Sequence, residues 1–438
     1  MSKIEVNTIE PQCGTTLTLG ASGDTVTLAS GASQSGFGRS GSVNWQTSIK
    51  TGDFTAVSGE GYFINTTSGA ITMTLPASPS VGDIVAFKDY AGTFDTNNLT
   101  VNRNGSNIIG GTLNPVVEVE GQAGTLVYGD ATQGWQIVEA ATDADLPRPS
   151  FVTATGGTVT TVCTNFKVHT FTGPGTFTVT NAGNSSGSNT VSYMVVAGGA
   201  GGGGFGGGGA GGFREGRTPT CSYTVSPLNA PAGLPVTATG YPITVGAGGG
   251  AAPRGCSGSN SIFSTITSAG GGGGGGYGPS IASGNPGGSG GGGGAPTSAP
   301  HPGQPGGTGN TPPVSPPQGK DGGSGRTGAA AGGGAGGATV AGIGGSCTPA
   351  PNAGGNGGAG ATTSINGTPT VFSGGGGGAG GATVGNGGSG GGGNGGTSPG
   401  TPAAVAGTVN TGGGGGGAYT GSGAAGGSGI VIIRYKFQ

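Results

Sequence analysis

Charge is the first thing that this sequence lacks. Only 7% of its 438 residues are Asp, Glu, Lys or Arg, whereas about 25% is usual in globular proteins. The formal net charge is −2, so the chain has no basic surface that could attract nucleic acid. We therefore expect no nucleic-acid partner.

Metal ligands and paired cysteines are also scarce. The chain has two histidines, and its five cysteines are widely spaced without a C-x-x-C pair. An odd number of cysteines without short spacings favours neither a zinc site nor a disulfide framework. We expect no metal, no cofactor and free thiols, and a Cys221–Cys256 disulfide remains an alternative.

Membrane-spanning, secretory and helical patterns are missing as well. No apolar run reaches the roughly 18 residues that a membrane-crossing helix needs. Residues 1–10 lack the apolar stretch of a signal peptide. We therefore expect a chain that is made in a cytoplasm, does not insert into membranes and has essentially no α-helix.

What the sequence has in excess is glycine, with 115 glycines and 28 prolines. Most of the glycine follows Val191. Residues 36–142 contain short β-branched segments between Gly, Asn, Asp and Pro, which predicts an antiparallel β domain, either a sandwich or a barrel. Residues 143–150 are polar with prolines and are predicted to be a linker. The predicted strands are Val43–Ile49, Gly61–Asn65, Ile71–Leu75, Ile84–Asp89, Leu99–Asn102, Val116–Glu120, Thr125–Tyr128 and Trp135–Glu139.

Residues 1–35 form a separate β-like segment. Apolar and polar residues alternate at its start, and two further short strand-like stretches follow. So small a segment cannot bury a core of its own, so we expect it to dock on a neighbouring copy, a partner protein or the next domain. Its main apolar positions are Ile4, Val6, Ile9, Leu17 and Leu19.

Residues 151–438 are predicted to form one glycine-rich domain. Strand patterns occupy 158–196 and return at 430–437, and we expect these two regions to pair and close the domain at one end. Between them, non-glycine segments separate runs that are nearly pure glycine. The main runs are Gly198–Gly212, Gly246–Gly250, Gly270–Gly276, Gly287–Gly294, Gly332–Gly337, Gly374–Gly381, Gly385–Gly396 and Gly412–Gly417.

Three structures compete for these runs. A flexible Gly/Ser linker fits the composition, whereas collagen needs glycine at every third position, which the runs do not show. The third is a bundle of polyglycine II helices, whose N–H and C=O groups all point to neighbouring helices that only glycine lets approach so closely. Because the runs are glycine rather than Gly/Ser mixtures, we predict this bundle, with its alanines and serines facing outward.

Groups for catalysis are sparse in the glycine-rich region. Glycosidases need two positioned carboxylates, of which this region offers one. His169 lies on a predicted strand without an obvious nucleophile, so we predict a packed surface histidine rather than a general base. The sequence therefore predicts that the protein is not an enzyme. The charged residues between Arg217 and Arg434 are Arg254, Lys320, Asp321 and Arg326.

Several motifs resemble known proteins. Tyr193-Met-Val-Val-Ala-Gly-Gly and the final Gly429-Ile-Val-Ile-Ile-Arg-Tyr-Lys resemble the glycine-rich domain of phage tail-fibre and adhesin proteins. In glycine-rich adhesins of T-even-type phages, polyglycine II helices form a sandwich whose tip loops contact host receptors. The N-terminal half, with Ile4-Glu-Val-Asn-Thr-Ile and Gly134-Trp-Gln-Ile-Val, is similar to fibre-like structural proteins of marine bacteriophages, including cyanophages.

This resemblance implies a structural protein on the virion surface that is made in the host cytoplasm. Its N-terminus, with the apolar positions of residues 1–35, is expected to anchor it to other tail or head proteins. Its tip is expected to bind a bacterial surface receptor, either a protein or a glycan. Fibre proteins commonly form homotrimers, which we expect here, although glycine-rich adhesin tips are single chains. A capsid-surface decoration fibre is the alternative, and an ice-binding polyglycine II protein is a lesser one.

The candidate receptor-binding residues lie in segments predicted to be loops, chiefly Arg214–Thr244 and the proline-rich Pro296–Gln318. Aromatic and arginine side chains at loop tips suit stacking on sugars or packing on a protein. The alternative is that such aromatics only cover the outside of the glycine helices. The candidates are Arg214, Arg217, Tyr223, Leu228, Leu234, Tyr277, His301, Phe372 and Tyr419.

Overall fold

A computed structural model describes most of the chain as strands and glycine runs. No helix occurs among the described residues, which confirms the all-β prediction, and accordingly no membrane-crossing helix occurs among them either. The anchor positions within 1–35, most of the predicted linker and the candidate His301 lie outside the described residues. The described ranges are 43–139, 149–278, 280–295, 303–326, 330–346, 352–398, 402–419 and 421–438.

Residues 43–139 fold into two sheets around one apolar core. The strand order is β1-β3-β5-β8-β9 in the first sheet and β2-β4-β6-β7 in the second. Buried aromatic side chains such as Phe87, Phe94 and Trp135 fill the space between them. The strands are β1 (Asn44–Trp45), β2 (Phe54–Thr55), β3 (Glu60–Ile64), β4 (Ile71–Thr74), β5 (Ile84–Asp89), β6 (Leu99–Asn102), β7 (Val116–Val117), β8 (Ala123–Asp130) and β9 (Gly134–Ile137).

The prediction that this domain is antiparallel is wrong for its first six strands. The chain alternates between the two sheets, so β1 pairs with β3, β3 with β5, β2 with β4 and β4 with β6, all in parallel. Only the later pairs β5–β8, β8–β9 and β6–β7 are antiparallel. A parallel pair needs a long crossover, and here a strand of the opposite sheet supplies it, which strand patterns alone do not reveal.

Two sheets and a hairpin form one end of the glycine-rich domain, which we call the base. The sheets have the orders β11-β12-β23-β14-β15-β16, with β17 also on β14, and β10-β13-β18-β19-β20. The strands are β10 (Val152–Thr155), β11 (Thr158–Val162), β12 (Phe166–Phe171), β13 (Gly175–Ala182), β14 (Thr190–Val196), β15 (Phe213–Gly216), β16 (Asn229–Ala230), β17 (Leu234–Pro235), β18 (Gly240–Thr244), β19 (Ser261–Phe263), β20 (Ile266–Ser268), the hairpin β21 (Ala361–Thr363) and β22 (Thr370–Phe372), and β23 (Ile430–Lys436).

The C-terminal strand β23 lies in the middle of the base. It pairs antiparallel with β14 from Ser192↔Arg434 to Val196↔Ile430 and with β12 on its other side. Val431 and Ile433 join one apolar cluster while Ile432 joins another, so both faces of the strand are buried. This explains the unbroken Ile-Val-Ile-Ile run, which is typical of strands buried on two faces, and confirms the predicted closure of the domain.

Beyond the base, the glycine runs form straight rods whose hydrogen bonds repeat every three residues. Along 197–204 each N–H points to one of three neighbouring rods, at N···O distances of 2.8 to 3.0 Å. This period is that of a polyglycine II helix, which has three residues per turn and no internal hydrogen bonds. Ala197, Ala200 and Gly203 donate to rod 206–212, Gly198, Gly201 and Gly204 donate to rod 253–259, and Gly199 and Gly202 donate to rod 424–427.

Rod 206–212 repeats this pattern, and its neighbouring rods include both parallel and antiparallel ones. In rod 206–212, one set of N–H groups donates to rod 269–275 in antiparallel order, and another donates to rod 332–337 in parallel order. Because a polyglycine II helix offers hydrogen bonds in three directions, it accepts either orientation of neighbour. The bundle is therefore a three-dimensional backbone network rather than a sheet.

Glycine is required inside the bundle because of close approach rather than unusual backbone angles. A Cβ at Gly208 would lie 2.2 Å from the carbonyl oxygen of Ala200, and one at Gly202 would lie 2.0 Å from that of Gly416. In outer rods only one residue in three faces inward: Gly246 and Gly249 are buried, whereas Ala247 is exposed. The neighbouring rods thus leave no room for a side chain at these inward-facing glycines.

The prediction that alanines and serines within the runs face outward is wrong for the inner rods. Ala200, Ala210, Ala379 and Ser289 are fully buried. Ala379 packs against Phe205 at one end of the bundle, which accounts for its burial. Nothing in the structure explains why alanine rather than glycine occupies the other inner positions.

Two glycine substitutions test the network. Gly208→Ala places a methyl group against the Ala200 carbonyl, and we expect it to lower the free energy of unfolding by about 3 kcal/mol, the upper range for overpacking. Gly250→Ala is the matched control, because a Cβ there meets nothing within 4 Å. Denaturant unfolding of both full-length variants measures the difference, and equal stability would contradict the packing described.

Candidate functional site

The end of the bundle opposite the base, which we call the tip, consists of turns between rods. Three of these turns converge at one point: a Cβ at Gly204 would lie 3.0 Å from Tyr277 N, 3.2 Å from Gly421 O and 3.3 Å from Pro253 O. The rods around them hold these turns by backbone hydrogen bonds, such as Gly204 N–H to Pro253 O at 2.8 Å. The tip is thus fixed by the rods beneath it.

An aromatic cluster occupies the centre of the tip. Phe205 forms the turn between two inner rods, and its side chain is buried against Ala295 and Ala379. The Tyr277 ring stacks on it at a centroid distance of 5.7 Å and an interplanar angle of 26°. Tyr419 meets it edge-on at 5.2 Å. Phe205 is therefore the buried side chain against which both tyrosine rings pack.

Of the candidate residues, the structure brings Tyr277 and Tyr419 together at the tip. Tyr277 is 54% exposed, and Tyr419 is partly buried. Phe205, on which both tyrosines pack, was not among the predicted site residues. It lies inside the glycine run 198–212, and the one sequence feature that marks it is a single large side chain within that run. These two tyrosines are 142 positions apart in the chain, so no sequence spacing indicates that both pack on Phe205.

The Arg214–Thr244 candidates lie at the base, not at the tip. Arg214 belongs to β15, and its Nη1 is 3.5 Å from the Thr267 carbonyl. Arg217 donates to the Tyr223 carbonyl at 3.2 Å. Leu228 and Leu234 pack against the two apolar clusters of the base. Leu228 and Leu234 thus belong to the core of the base, and all four positions lie there because the insert forms strands β15 to β18 rather than a free loop.

Tyr223 belongs to a buried polar cluster in the base. The Arg434 guanidinium, whose residue is 1% exposed, lies 5.0 Å from the Tyr223 ring centroid and 4.5 Å from that of Phe166. The Glu215 carboxylate accepts from Ser226 N–H at 2.8 Å. Burial, helped by that carboxylate, raises the pKa of the Tyr223 hydroxyl. Such a setting suits structural closure rather than contact with a partner.

Two further expectations about the loops need correction. Phe372 is 4% exposed and lies on β22 within an apolar cluster, so it is a core residue and not a loop residue. Pro296–Gln318 is not one loop, because residues 303–309 run as a rod, in which Gly307 N–H donates to Gly291 O at 2.8 Å. Proline and threonine at outer positions of a rod hide its glycine pattern from the sequence.

His169 is a core residue rather than the packed surface residue that we predicted. It is fully buried, its Nδ1 lies 2.7 Å from Gly156 O, and its Nε2 lies 3.0 Å from the Tyr435 hydroxyl. Because the carbonyl can only accept, Nδ1 carries the proton and Tyr435 donates to Nε2. Burial lowers the pKa of His169, nearby Lys167 acts in the same direction, and the Gly156 hydrogen bond opposes both.

This buried neutral histidine predicts a pH dependence of stability. A lowered folded-state pKa means that the unfolded chain binds the proton more readily, so stability is full above the usual pKa of about 6.5 and falls below it. His169→Gln keeps a hydrogen-bonding side chain but does not titrate. We expect the loss of melting temperature between pH 7 and pH 5 to be smaller in this variant than in the parent, and equal losses would contradict the assignment.

The aromatic cluster predicts unequal effects of truncation. Phe205→Ala empties a buried site and should lower the free energy of unfolding by about 3 kcal/mol or more. Tyr277→Ala removes a half-exposed ring and should cost about 1 kcal/mol. Thermal and denaturant unfolding of the two variants compare these costs, and a Tyr277→Ala effect as large as that of Phe205→Ala would show that Tyr277 is part of the core.

One comparison with known families matches the glycine-rich part of the chain. The family model described as a glycine-rich domain matches residues 169–436, from β12 to the end of β23. No curated protein matches the chain. Among the described residues, no three His, Cys, Asp or Glu side chains converge as metal ligands.

Proposed function

The chain belongs to the glycine-rich domain family, and we propose that it is a structural virion protein, a phage tail fibre or adhesin that recognises a host surface with its tip. In this proposal the protein has no enzymatic activity. It works by presenting the turns between polyglycine II helices at the end of a stiff bundle. The resemblance of its terminal motifs to phage adhesins supports the same assignment.

One observation carries the proposal. The bundle is held by backbone hydrogen bonds of period three, so its shape does not depend on the exposed side chains of the tip turns, and among the turn residues that the structure describes only the buried Phe205 anchors a side-chain cluster. The turns can therefore vary in sequence without loss of the scaffold, which is what a surface that must match changing receptors needs. The base, by contrast, depends on packed side chains in two apolar clusters.

In this proposal the N-terminal region attaches the protein to the virus particle. Residues 1–35, with Ile4, Val6, Ile9, Leu17 and Leu19, would join the protein to other tail or head proteins, in a homotrimer displayed on the virion surface. Deletion of 1–35 should leave a folded protein that no longer joins particles. Recovery of the truncated protein on purified virions would contradict this part of the proposal.

Blocking the tip tests the recognition step. A small folded domain inserted between Gly421 and Ser422, an exposed tip turn, should abolish binding of the full-length protein to cells of marine bacteria, cyanobacteria included. The matched control fuses the same domain after Gln438. This residue contacts Thr164 and Asn165 at the edge of the base away from the bundle, so its fusion should leave binding unchanged.

The outcomes separate the two main alternatives. Saturable binding of the parent that only the tip insertion removes supports an adhesin. Binding that survives the tip insertion would place recognition elsewhere. No binding to any cell that the parent virus infects would favour a capsid-surface decoration fibre, in which the bundle is only a rigid exterior element.

A further inference from the structure

The outer face of the first sheet in residues 43–139 carries a row of aromatic side chains. Tyr62 and Phe87 belong to the core, so their neighbours along the strands face away from it, because successive side chains of a strand alternate between the two faces. On the outer face the Trp45 and Phe63 rings lie 4.9 Å apart between centroids, at an interplanar angle of 33°. Tyr90 meets Phe63 edge-on at 6.5 Å. Three rings from neighbouring strands thus form one row.

A cavity lies beside Trp45 on this face. Trp45 pairs with Gly61, and a Cβ at Gly61 would lie 2.9 Å from Trp45 Cδ2, so glycine at this position makes room for the indole. The volume of the cavity is about 110 Å³, several times the space that one water molecule needs. The cavity is lined by Trp45, Phe87, Ala123, Gly124, Thr125 and Glu139.

Glu139 and Thr125 give the cavity a hydrogen-bonding side. The Thr125 hydroxyl donates to Oε2 of the Glu139 carboxylate at 2.7 Å, which positions the carboxylate. A carboxylate has about four acceptor sites, so this one contact leaves others for a ligand. Glu139 is exposed and Trp45 is 42% exposed. The cavity therefore combines an accessible indole with a positioned acceptor that solvent can reach.

We propose that this cavity, which we call the Trp45 site, binds a sugar residue of a neutral glycan. In the complex the sugar ring packs against the indole, and one of its hydroxyl groups donates to Glu139. A sugar ring has an apolar C–H face and a rim of hydroxyl groups, so it matches an aromatic side chain beside an acceptor. The site lies outside the glycine-rich domain, so this inference goes beyond the proposed function and does not depend on recognition by the tip.

Two other ligand classes fit the Trp45 site less well. An organic ammonium group is bound in a cage of aromatic rings, but Phe63 packs on Trp45 and does not line the cavity. Lys88, which pairs with both Phe63 and Ala123, also places a positive charge on the same face. A protein partner would need a central cluster of buried apolar anchors, whereas half of the lining residues are Ala, Gly or Thr.

Tryptophan fluorescence follows this site in the full-length protein. The chain has two tryptophans, and Trp135 is fully buried whereas Trp45 is partly exposed, so iodide should quench chiefly Trp45. The neutral probes are cello-, malto-, manno- and galacto-oligosaccharides. Polygalacturonate is the acidic probe and tetramethylammonium chloride the cationic one. Isothermal titration calorimetry measures the same probes with variants that lack Trp45.

We expect at least one neutral oligosaccharide to shield Trp45 from iodide in a saturable way, and the acidic and cationic probes to leave quenching unchanged. Trp45→Ala should weaken binding at least about tenfold, because it removes the stacking surface. Glu139→Gln keeps the shape but not the charge and should weaken binding severalfold. Tyr277→Ala, which removes a similarly exposed ring at the tip, is the matched control and should bind like the parent. Unfolding curves verify each variant, and Trp45→Phe, which keeps a ring, replaces Trp45→Ala if that variant does not fold.

Other results would overturn this inference. Shielding by tetramethylammonium but by no oligosaccharide would make the ligand an ammonium compound. Shielding that appears without ligand at high protein concentration and disappears on dilution would make this face an interface between copies. Sugar binding that is unchanged in Trp45→Ala and Glu139→Gln would place the sugar site elsewhere, and failure of every neutral oligosaccharide to bind would reject the proposal. The tip insertion tests the proposed function independently of all these results.

Discussion

The structure depends on backbone hydrogen bonds made in three directions at once. Ordering glycine costs about 1–2 kcal/mol per residue in backbone entropy, and glycine has no side chain to offset this cost. Along 197–212 each N–H group donates to a carbonyl of another rod or turn, most of the carbonyls accept in turn, and within a rod every third N–H group donates to the same neighbouring rod. Burial of many satisfied peptide groups at close approach therefore replaces the apolar core of an ordinary domain.

The base and the tip have different roles: the base closes the domain, and the tip carries the exposed turns. At the base, β23 is clamped between β12 and β14 with apolar clusters on both faces, which joins the last residues of the chain to the first strands of the domain. Arg434 strengthens this closure through contacts to the carbonyls of Ser222 and Ile365. At the tip, the buried Phe205 supports Tyr277, whose ring is more than half exposed.

Much of this fold could be predicted from residue types and their spacing. Runs of glycine without the collagen repeat indicated the polyglycine II bundle, and two strong β segments indicated that β14 and β23 pair. The strand order in 43–139 could not be predicted. The strands β1 to β6 pair in parallel within their sheets, and each parallel pair is connected by a strand of the opposite sheet. Short β-branched segments look alike in both arrangements.

The site was harder to predict than the fold. Rods run in both directions, so a non-glycine segment between two runs lies at either the base or the tip, and composition does not distinguish the ends. For that reason Tyr223, Leu228, Leu234 and Phe372 were placed among the loop candidates although they pack in the base. Only contact with Phe205 identifies Tyr277 and Tyr419 as neighbours.

The central claim, that a backbone network orders the glycine runs, is tested most directly by amide hydrogen exchange. Exchange in the full-length protein can be followed by mass spectrometry on peptides that cover rods 197–204 and 206–212. The network predicts exchange at least about a thousandfold slower than in an unfolded peptide, comparable to that of β14 and β23. Exchange of these glycines at the unfolded rate, while β14 and β23 stay protected, would show a flexible linker attached to a folded base and would contradict the account.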